Sequence, residues 1–301
     1  MYHASLLPGS CPGRPRDSSR GGGRSVRSKG ARGVPTIASS AEEQRNPGEA
    51  LVVSWQILLE DGPLLAINKP AGLLTLGGGP DVPTLERQVK QHLKERFHKP
   101  GNVYLGIPHR LDRPVSGVIV FARNSKAAAR LAEEFRERRV SKTYLAVVEG
   151  VPEADSGRWT DWLVKVPEKA VVAAVSEPLP GAREAVLDFV VRKTWESPAG
   201  VRSLLELAPQ TGRMHQIRVQ LASRGRPVVG DVQYGGRPWR IEAELAGPGS
   251  AEPTAVPPSP RDLPIALHAA RLTLRHPIRY EPVTIEAPLP AEWATLGPRL
   301  D

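Results

Sequence analysis

One stretch constrains the fold more than any other: His109-Arg110-Leu111-Asp112-Arg113-Pro114-Val115-Ser116-Gly117, running directly into Val118-Ile119-Val120-Phe121-Ala122. The apolar run, entered through a proline and a glycine, reads as a buried strand. At its mouth stands a carboxylate between two arginines. A carboxylate can act as nucleophile or base without a cofactor, provided it is ionised, and flanking cations favour the ionised form. Asp112 is thus either a poised reactive group or a structural cap on the turn before the strand.

The surrounding pattern predicts a sheet with helices packed on it. Leu64–Asn68 reads as a strand ended by Lys69-Pro70, and Ala71-Gly72-Leu73 as the turn after it. Thr84 is placed to cap a helix to about Phe97, with Leu85, Val89, Leu93 and Phe97 on one stripe. A second helix starts at Asn124 or Ser125 and buries Ala127, Leu131 and Phe135, leaving Glu133, Glu134, Arg136, Glu137 and Arg138 to solvent. Thr143–Val148 alternates as a strand. Further strands are expected at 184–193, 202–207, 266–274 and 282–286, and a helix over 214–223 stopped by Gly225. Long strands joined by few helices imply an α+β fold with a mixed, mainly antiparallel sheet, not a doubly wound parallel one.

The ends and the charge bound the partners. Residues 1–50 are rich in Arg, Gly and Ser, with almost no apolar periodicity, and are expected to be a disordered basic tail. A single domain is expected over 51–301, with a flexible inserted loop at 246–264. Net charge is +9, from 41 Lys and Arg against 32 Asp and Glu, which suits a protein that neutralises phosphates. The single cysteine, Cys11, lies in the tail, so the body has no thiol nucleophile or disulfide framework. No apolar run is long enough for a membrane span and no signal core is visible, so a cytoplasmic protein is expected. His109, His215 and His268 lack carboxylates at metal-ligand spacing, and the nucleotide-binding glycine motifs are missing; neither a metal nor a nucleotide cofactor is expected.

Two further motifs carry chemistry. Lys142-Thr143-Tyr144-Leu145-Ala146-Val147-Val148-Glu149-Gly150 puts a tyrosine within a strand, where a flat ring with a polar tip either fills core or stacks on an extruded base. Gln210-Thr211-Gly212-Arg213-Met214-His215-Gln216-Ile217-Arg218-Val219-Gln220 feeds a glycine turn into a helix start, where free backbone N–H groups favour anions. It is followed by Gly225-Arg226-Pro227-Val228-Val229-Gly230-Asp231 and Tyr234-Gly235.

Together these stretches resemble the RluA-type RNA pseudouridine synthases, whose motifs read HRLDxxTSG, KxYxAxVxG and TGRTHQIRVH…GxPIxGDxxYG. Ile67-Asn68-Lys69-Pro70-Ala71-Gly72-Leu73 and Leu267-His268-Ala269-Ala270-Arg271-Leu272 add weaker echoes, structural in character. The resemblance runs in order from about residue 60 to 288. It implies a bent, mainly antiparallel sheet with a central cleft, no cofactor, and a member of the family without its added S4-type RNA-binding domain. It implies Asp112 as the catalytic residue, Arg218 paired with it, and Tyr144 against the target uracil. Arg110 would fill the space left by a flipped uridine. His109, Arg113, Arg213, His215, Gln216 and Ile217 are the other expected substrate-contacting positions. The expected partner is structured RNA, ribosomal or transfer, bound by a monomer. Val115, Met214 and Gln220 depart from the family's Thr, Thr and His, and bear on substrate choice more than on catalysis. The competing classes are a noncatalytic RNA-binding or ribosome-assembly factor of the same fold, and an aspartate-nucleophile hydrolase of small molecules with no RNA affinity.

Overall fold

Strand β3 (Ser116–Ala122) is buried at every position, as its uninterrupted apolar run demands. The computed structural model describes residues 54–167, 169–238, 259 and 263–297. The expected tail over 1–50 and most of the loop expected over 246–264 lie outside the described residues. On one side β3 pairs antiparallel with β2 (Leu64–Lys69), and β2 with β1 (Gln56–Asp61). On the other it meets β9 (Leu267–Arg275) in parallel, over Ser116 and Gly117 alone. β9 also pairs with β10 (Pro282–Glu286) and with β4 (Ser141–Glu149). Beyond β4 follow β8 (Gly200–Pro209), β7 (Arg183–Ser197), β5 (Ser156–Lys165) and β6 (Val172–Val175), all antiparallel. β3 with β9 is the one parallel pair among the described strands, so the sheet is mixed and mainly antiparallel, with helices beside it: an α+β fold.

Gly117 makes that parallel joint possible. A Cβ there would run into the backbone of Ala269, and its φ of 113° is a conformation that glycine alone adopts at little cost. The strand core of Ile67, Ile119, Phe121, Ala146, Val147 and Leu205 lies in one continuous cluster with Leu85, Val89 and Leu93 of the first helix. Each large aliphatic or aromatic side chain so enclosed stabilises by about 1.5–3 kcal/mol.

Helix α1 (Leu85–Arg96) starts where expected, the Thr84 hydroxyl accepting from the Arg87 N–H at 3.3 Å. It buries Leu85, Val89 and Leu93. Phe97 does not complete the stripe: it is the helix C-cap, outside the regular turn, and 44% exposed. Its ring lies against the guanidinium groups of Arg96 and Arg123 instead. Helix α2 (Ser125–Arg136) is capped by Asn124 and buries Ala127 and Leu131. Glu134, expected to face solvent, is buried, with Arg139 Nε donating to it at 2.8 Å. Helix α3 (Gln216–Ala222) begins later than expected because His215 takes a left-handed conformation, φ 53°. Among the described residues no helix is long and apolar enough to cross a membrane.

Candidate active site

The turn after β2 clamps the loop that carries Asp112. Lys69 is fully buried, and its Nζ donates to three carbonyls: Pro70 at 2.9 Å, Leu73 at 2.8 Å and Arg113 at 3.2 Å. The Gly72 N–H donates to the same Arg113 carbonyl at 2.8 Å. Thr75 Oγ1 donates to the Leu111 carbonyl at 2.8 Å and accepts from its N–H at 3.3 Å. The Val115 N–H closes a turn onto the Asp112 carbonyl at 3.1 Å. The residues on either side of Asp112 are thus held from below while its carboxylate points into the cleft. Burial brings the Lys69 ammonium down to about 7, the Asp112 carboxylate opposing that shift and Arg113 adding to it.

The opposite wall comes from α3. Arg218 is 2% exposed and is held by a fork: Nε donates to Asp231 Oδ2 at 2.6 Å and Nη2 to Asp231 Oδ1 at 2.8 Å. Nη2 also donates to Gln233 Oε1 at 2.9 Å, and the Tyr234 ring lies 4.8 Å from the guanidinium carbon. The remaining nitrogen, Nη1, stands 3.8 Å from Asp112 Oδ2. The expected Arg218–Asp112 contact is present, but the arginine's tightest partner is Asp231. Burial works against its charge, and Asp231, with Asp112 and Tyr234 adding to it, more than offsets that, so Arg218 is held above its ordinary value.

His215 reaches the same carboxylate oxygen, its Nε2 3.8 Å from Asp112 Oδ2. Its Nδ1 is 2.8 Å from the Tyr234 hydroxyl, which accepts from the Val172 N–H at 3.0 Å. That hydroxyl can donate its own proton to Nδ1, which fits the tautomer with Nε2–H turned toward Asp112. Burial lowers the His215 imidazole, with Asp112 opposing.

Over these groups opens a cleft of about 460 Å³, within the range of small-ligand sites. Tyr144, half-buried on β4, forms a side of it. Burial, then the nearby Asp112 carboxylate, pushes the Tyr144 phenol far above its usual value, so the ring stays neutral. Ile217 supplies apolar wall, and Arg110 is exposed at the rim.

Other expected residues hold the framework. His109 lines the cleft, but its Nε2 accepts from the Val120 N–H at 3.0 Å and its ring stacks on Phe135 at 4.4 Å; burial, then Lys142, lowers it to about 3. Arg113 turns away from the cleft and donates through Nε to the Gly72 carbonyl at 2.9 Å. Gln216 is buried: its Oε1 accepts from Thr211 Oγ1 at 2.7 Å and from the Arg213 N–H at 3.0 Å, while Nε2 donates to the Val186 carbonyl at 3.0 Å. In the turn before α3 the Arg213 N–H is therefore taken by a side chain, and α3 itself is only seven residues long. Arg213 itself reaches the cleft and donates Nε to the Glu184 carbonyl at 2.8 Å. His268 belongs to the β3–β9 joint, its Nδ1 2.8 Å from Ser116 Oγ. Of the departures, Val115 lies in the cleft wall. Gln220 is buried and bonded to Asp161 at 2.6 Å.

Lys69, Thr75, Asp231, Gln233 and Tyr234 were not singled out by sequence reasoning as working parts. The signal for Asp231 and Tyr234 was present in their motif, but pairing residues 13 positions apart requires the fold.

The family model for RNA pseudouridylate synthase matches residues 63–223. The chain belongs to this family, isomerases that convert uridine to pseudouridine in RNA. It is 33% identical to a tRNA pseudouridine synthase C of Haemophilus influenzae, over 80% of this chain and 95% of the relative. It is also 33% identical to a ribosomal large subunit pseudouridine synthase D of Xanthomonas campestris, over 93% of this chain and 76% of that protein. Among solved structures, Human RNA Pseudouridylate Synthase Domain Containing 4 superposes with a TM-score of 0.60 at 26% identity, covering 79% of this chain and 90% of that one.

Proposed function

We propose that Asp112 is the catalytic carboxylate in the isomerisation of uridines of a transfer RNA or a large-subunit ribosomal RNA. The observation that carries this reading is the convergence of Arg218 Nη1 and His215 Nε2, each 3.8 Å from Asp112 Oδ2, in a cleft beside Tyr144. Arg218 brings a permanent positive charge to the carboxylate, and His215 an N–H turned toward it. The two RNA classes are those named for the relatives from Haemophilus influenzae and Xanthomonas campestris.

A uridine inside a helix cannot present its C1′ and the far edge of its base to a carboxylate at the bottom of a cleft, so it leaves the stack. Its uracil stacks on Tyr144, and Arg110 at the rim fills the vacated space. The N1–C1′ bond breaks, the uracil rotates, C5 bonds to C1′, the C5 proton is released to solvent, and N1 takes up a proton in its place. Asp112 acts either by attack on C1′ or by removing the C2′ proton; both routes require it ionised. Arg218, locked by Asp231, stays beside the carboxylate throughout.

The test is tritium release from undermodified cellular RNA carrying 5-tritiated uridine. Wild-type protein releases tritium; Asp112→Asn releases less than about a tenth as much, an energetic loss of at least ~1.4 kcal/mol in the barrier, while binding RNA as before. An Asp112→Asn variant above that rate removes Asp112 from the central role. RNA binding without release by the wild type supports the noncatalytic alternative.

A further inference from the structure

Arg138 occupies a position that the backbone reserves for glycine. Helix α2 ends in two closing hydrogen bonds, from the Arg138 N–H to the Phe135 carbonyl at 3.2 Å and from the Arg139 N–H to the Glu134 carbonyl at 2.9 Å. This pattern puts Arg138 just past the C-cap Glu137 in the left-handed conformation, φ 56°. A β-carbon is strained there, and glycine is the usual occupant. Strain retained in this way points to a use for the side chain.

The neighbours indicate that use. Arg136 and Arg139 on either side pair with Glu137 and Glu134. Arg136 lines the cleft with its charge matched by Glu137; Arg138 lines it too and has no acid partner among the described residues. It meets two other cations there. Lys142 lies two residues before Tyr144 on β4 and on the same face, about 6.6 Å along the strand. An ideal Cβ on Gly212 would lie 3.8 Å from Lys142 Nζ, so Lys142 crosses beneath the turn that carries Arg213. Burial, then the charge of Arg138, lowers both Lys142 and Arg213. Three cations from three chain segments repel one another, and an anion placed among them removes that penalty.

We propose that Arg138, Lys142 and Arg213 form a seat for one backbone phosphate of the RNA, beside the base that stacks on Tyr144. Its identity as the phosphate flanking the target uridine rests on the synthase reading above; its chemistry as a phosphodiester seat does not. Arginine suits the role because its planar fork contacts two phosphate oxygens at once.

Glycine at this position satisfies the backbone and removes the guanidinium, which gives an unusually clean test. Arg138→Gly and Arg138→Lys are compared with the wild type for thermal unfolding and for affinity to unmodified transfer RNA and large-subunit ribosomal RNA transcripts across a salt series. Arg138→Gly is expected to keep or raise Tm and to weaken binding about tenfold, as for one lost charge-assisted hydrogen bond. The slope of log affinity against log salt should flatten by about 0.7–0.9, as for one lost phosphate contact. Arg138→Lys keeps the slope and loses part of the affinity. Unchanged affinity and slope in Arg138→Gly overturn the seat, as does a lowered Tm, which would make Arg138 a support of the fold. Tritium release by the wild type separates the two claims: release with unchanged Arg138→Gly binding removes the seat and leaves the synthase. No release, with the slope flattened by that amount in Arg138→Gly, removes the synthase and leaves the seat.

Discussion

Two cations are buried close to Asp112, and the protein neutralises them in opposite ways. Arg218, on the wall, is matched by the carboxylate of Asp231 in a two-bonded fork. Lys69, beneath the loop, meets only the carbonyls of Pro70, Leu73 and Arg113. A charge matched by a charge remains at every physiological pH and can set the state of a neighbour. A charge matched by dipoles is costly to keep, and burial drives Lys69 to about 7. The wall therefore serves the electrostatics of Asp112, and the floor serves the shape of its loop.

The comparison breaks most visibly at Arg218. Arg218→Met leaves Asp231, itself 1% exposed, as an unpaired buried carboxylate, with an expected stability loss of about 3–5 kcal/mol. Tritium release should fall with it, and Arg218→Met combined with Asp231→Leu should restore stability in urea without restoring activity. Recovery of turnover in that double variant would show that Arg218 acts on the fold alone.

Lys69→Met is the next in size. It removes the donor to three carbonyls, a loss of about 2–3 kcal/mol, and it alters the pH dependence. The folded value of Lys69, about 7, lies below its ordinary 10.5. Between those values the unfolded chain binds more protons than the folded one, so Lys69 makes stability rise with pH across that window; below it, the full cost of the buried charge is present. Urea melts of wild type and Lys69→Met between pH 6 and about 10.5 should differ by that rise. Parallel curves would mean that Lys69 is not the titrating group.

The smallest effect sharpens the account of the floor. Thr75→Val removes the bonds to the Leu111 backbone at constant shape, and about 1 kcal/mol is expected. Release of tritium should drop several-fold while RNA affinity holds, because the loop loses alignment and keeps its charge. An unchanged turnover number would leave the clamping to Lys69 and the Gly72–Arg113 bonds.

Sequence reasoning reached the elements whose pattern is local. Thr84 and Asn124 start their helices as expected, since an N-cap depends on residues three positions away. Strands β1, β5 and β6 were not predicted. In β5 most residues are exposed or half-buried, so Ser156–Lys165 carries no clean alternation. At the site, Asp112, Tyr144 and Arg218 were legible because each stands in a motif. Glu134 and Phe97 were misread because helical periodicity does not show what folds onto them: Arg139, five positions on, pairs with Glu134, and Arg123 faces Phe97. The working partnership of Arg218 with Asp231 needed the fold for the same reason.

The position of β9 sets the order of events during synthesis. In space it lies between β3 and β4, yet it is made after both, and its His268 meets Ser116 across 152 residues of sequence. Closing a loop of that length is entropically expensive, and the contact cannot form until the late strand leaves the ribosome. A growing chain thus has β3 paired with β2, and β4 with β8, before any strand pairing among the described residues links the two groups. The loop that carries Asp112 and the strand that carries Tyr144 are tied through one continuous sheet only once that late strand has been made.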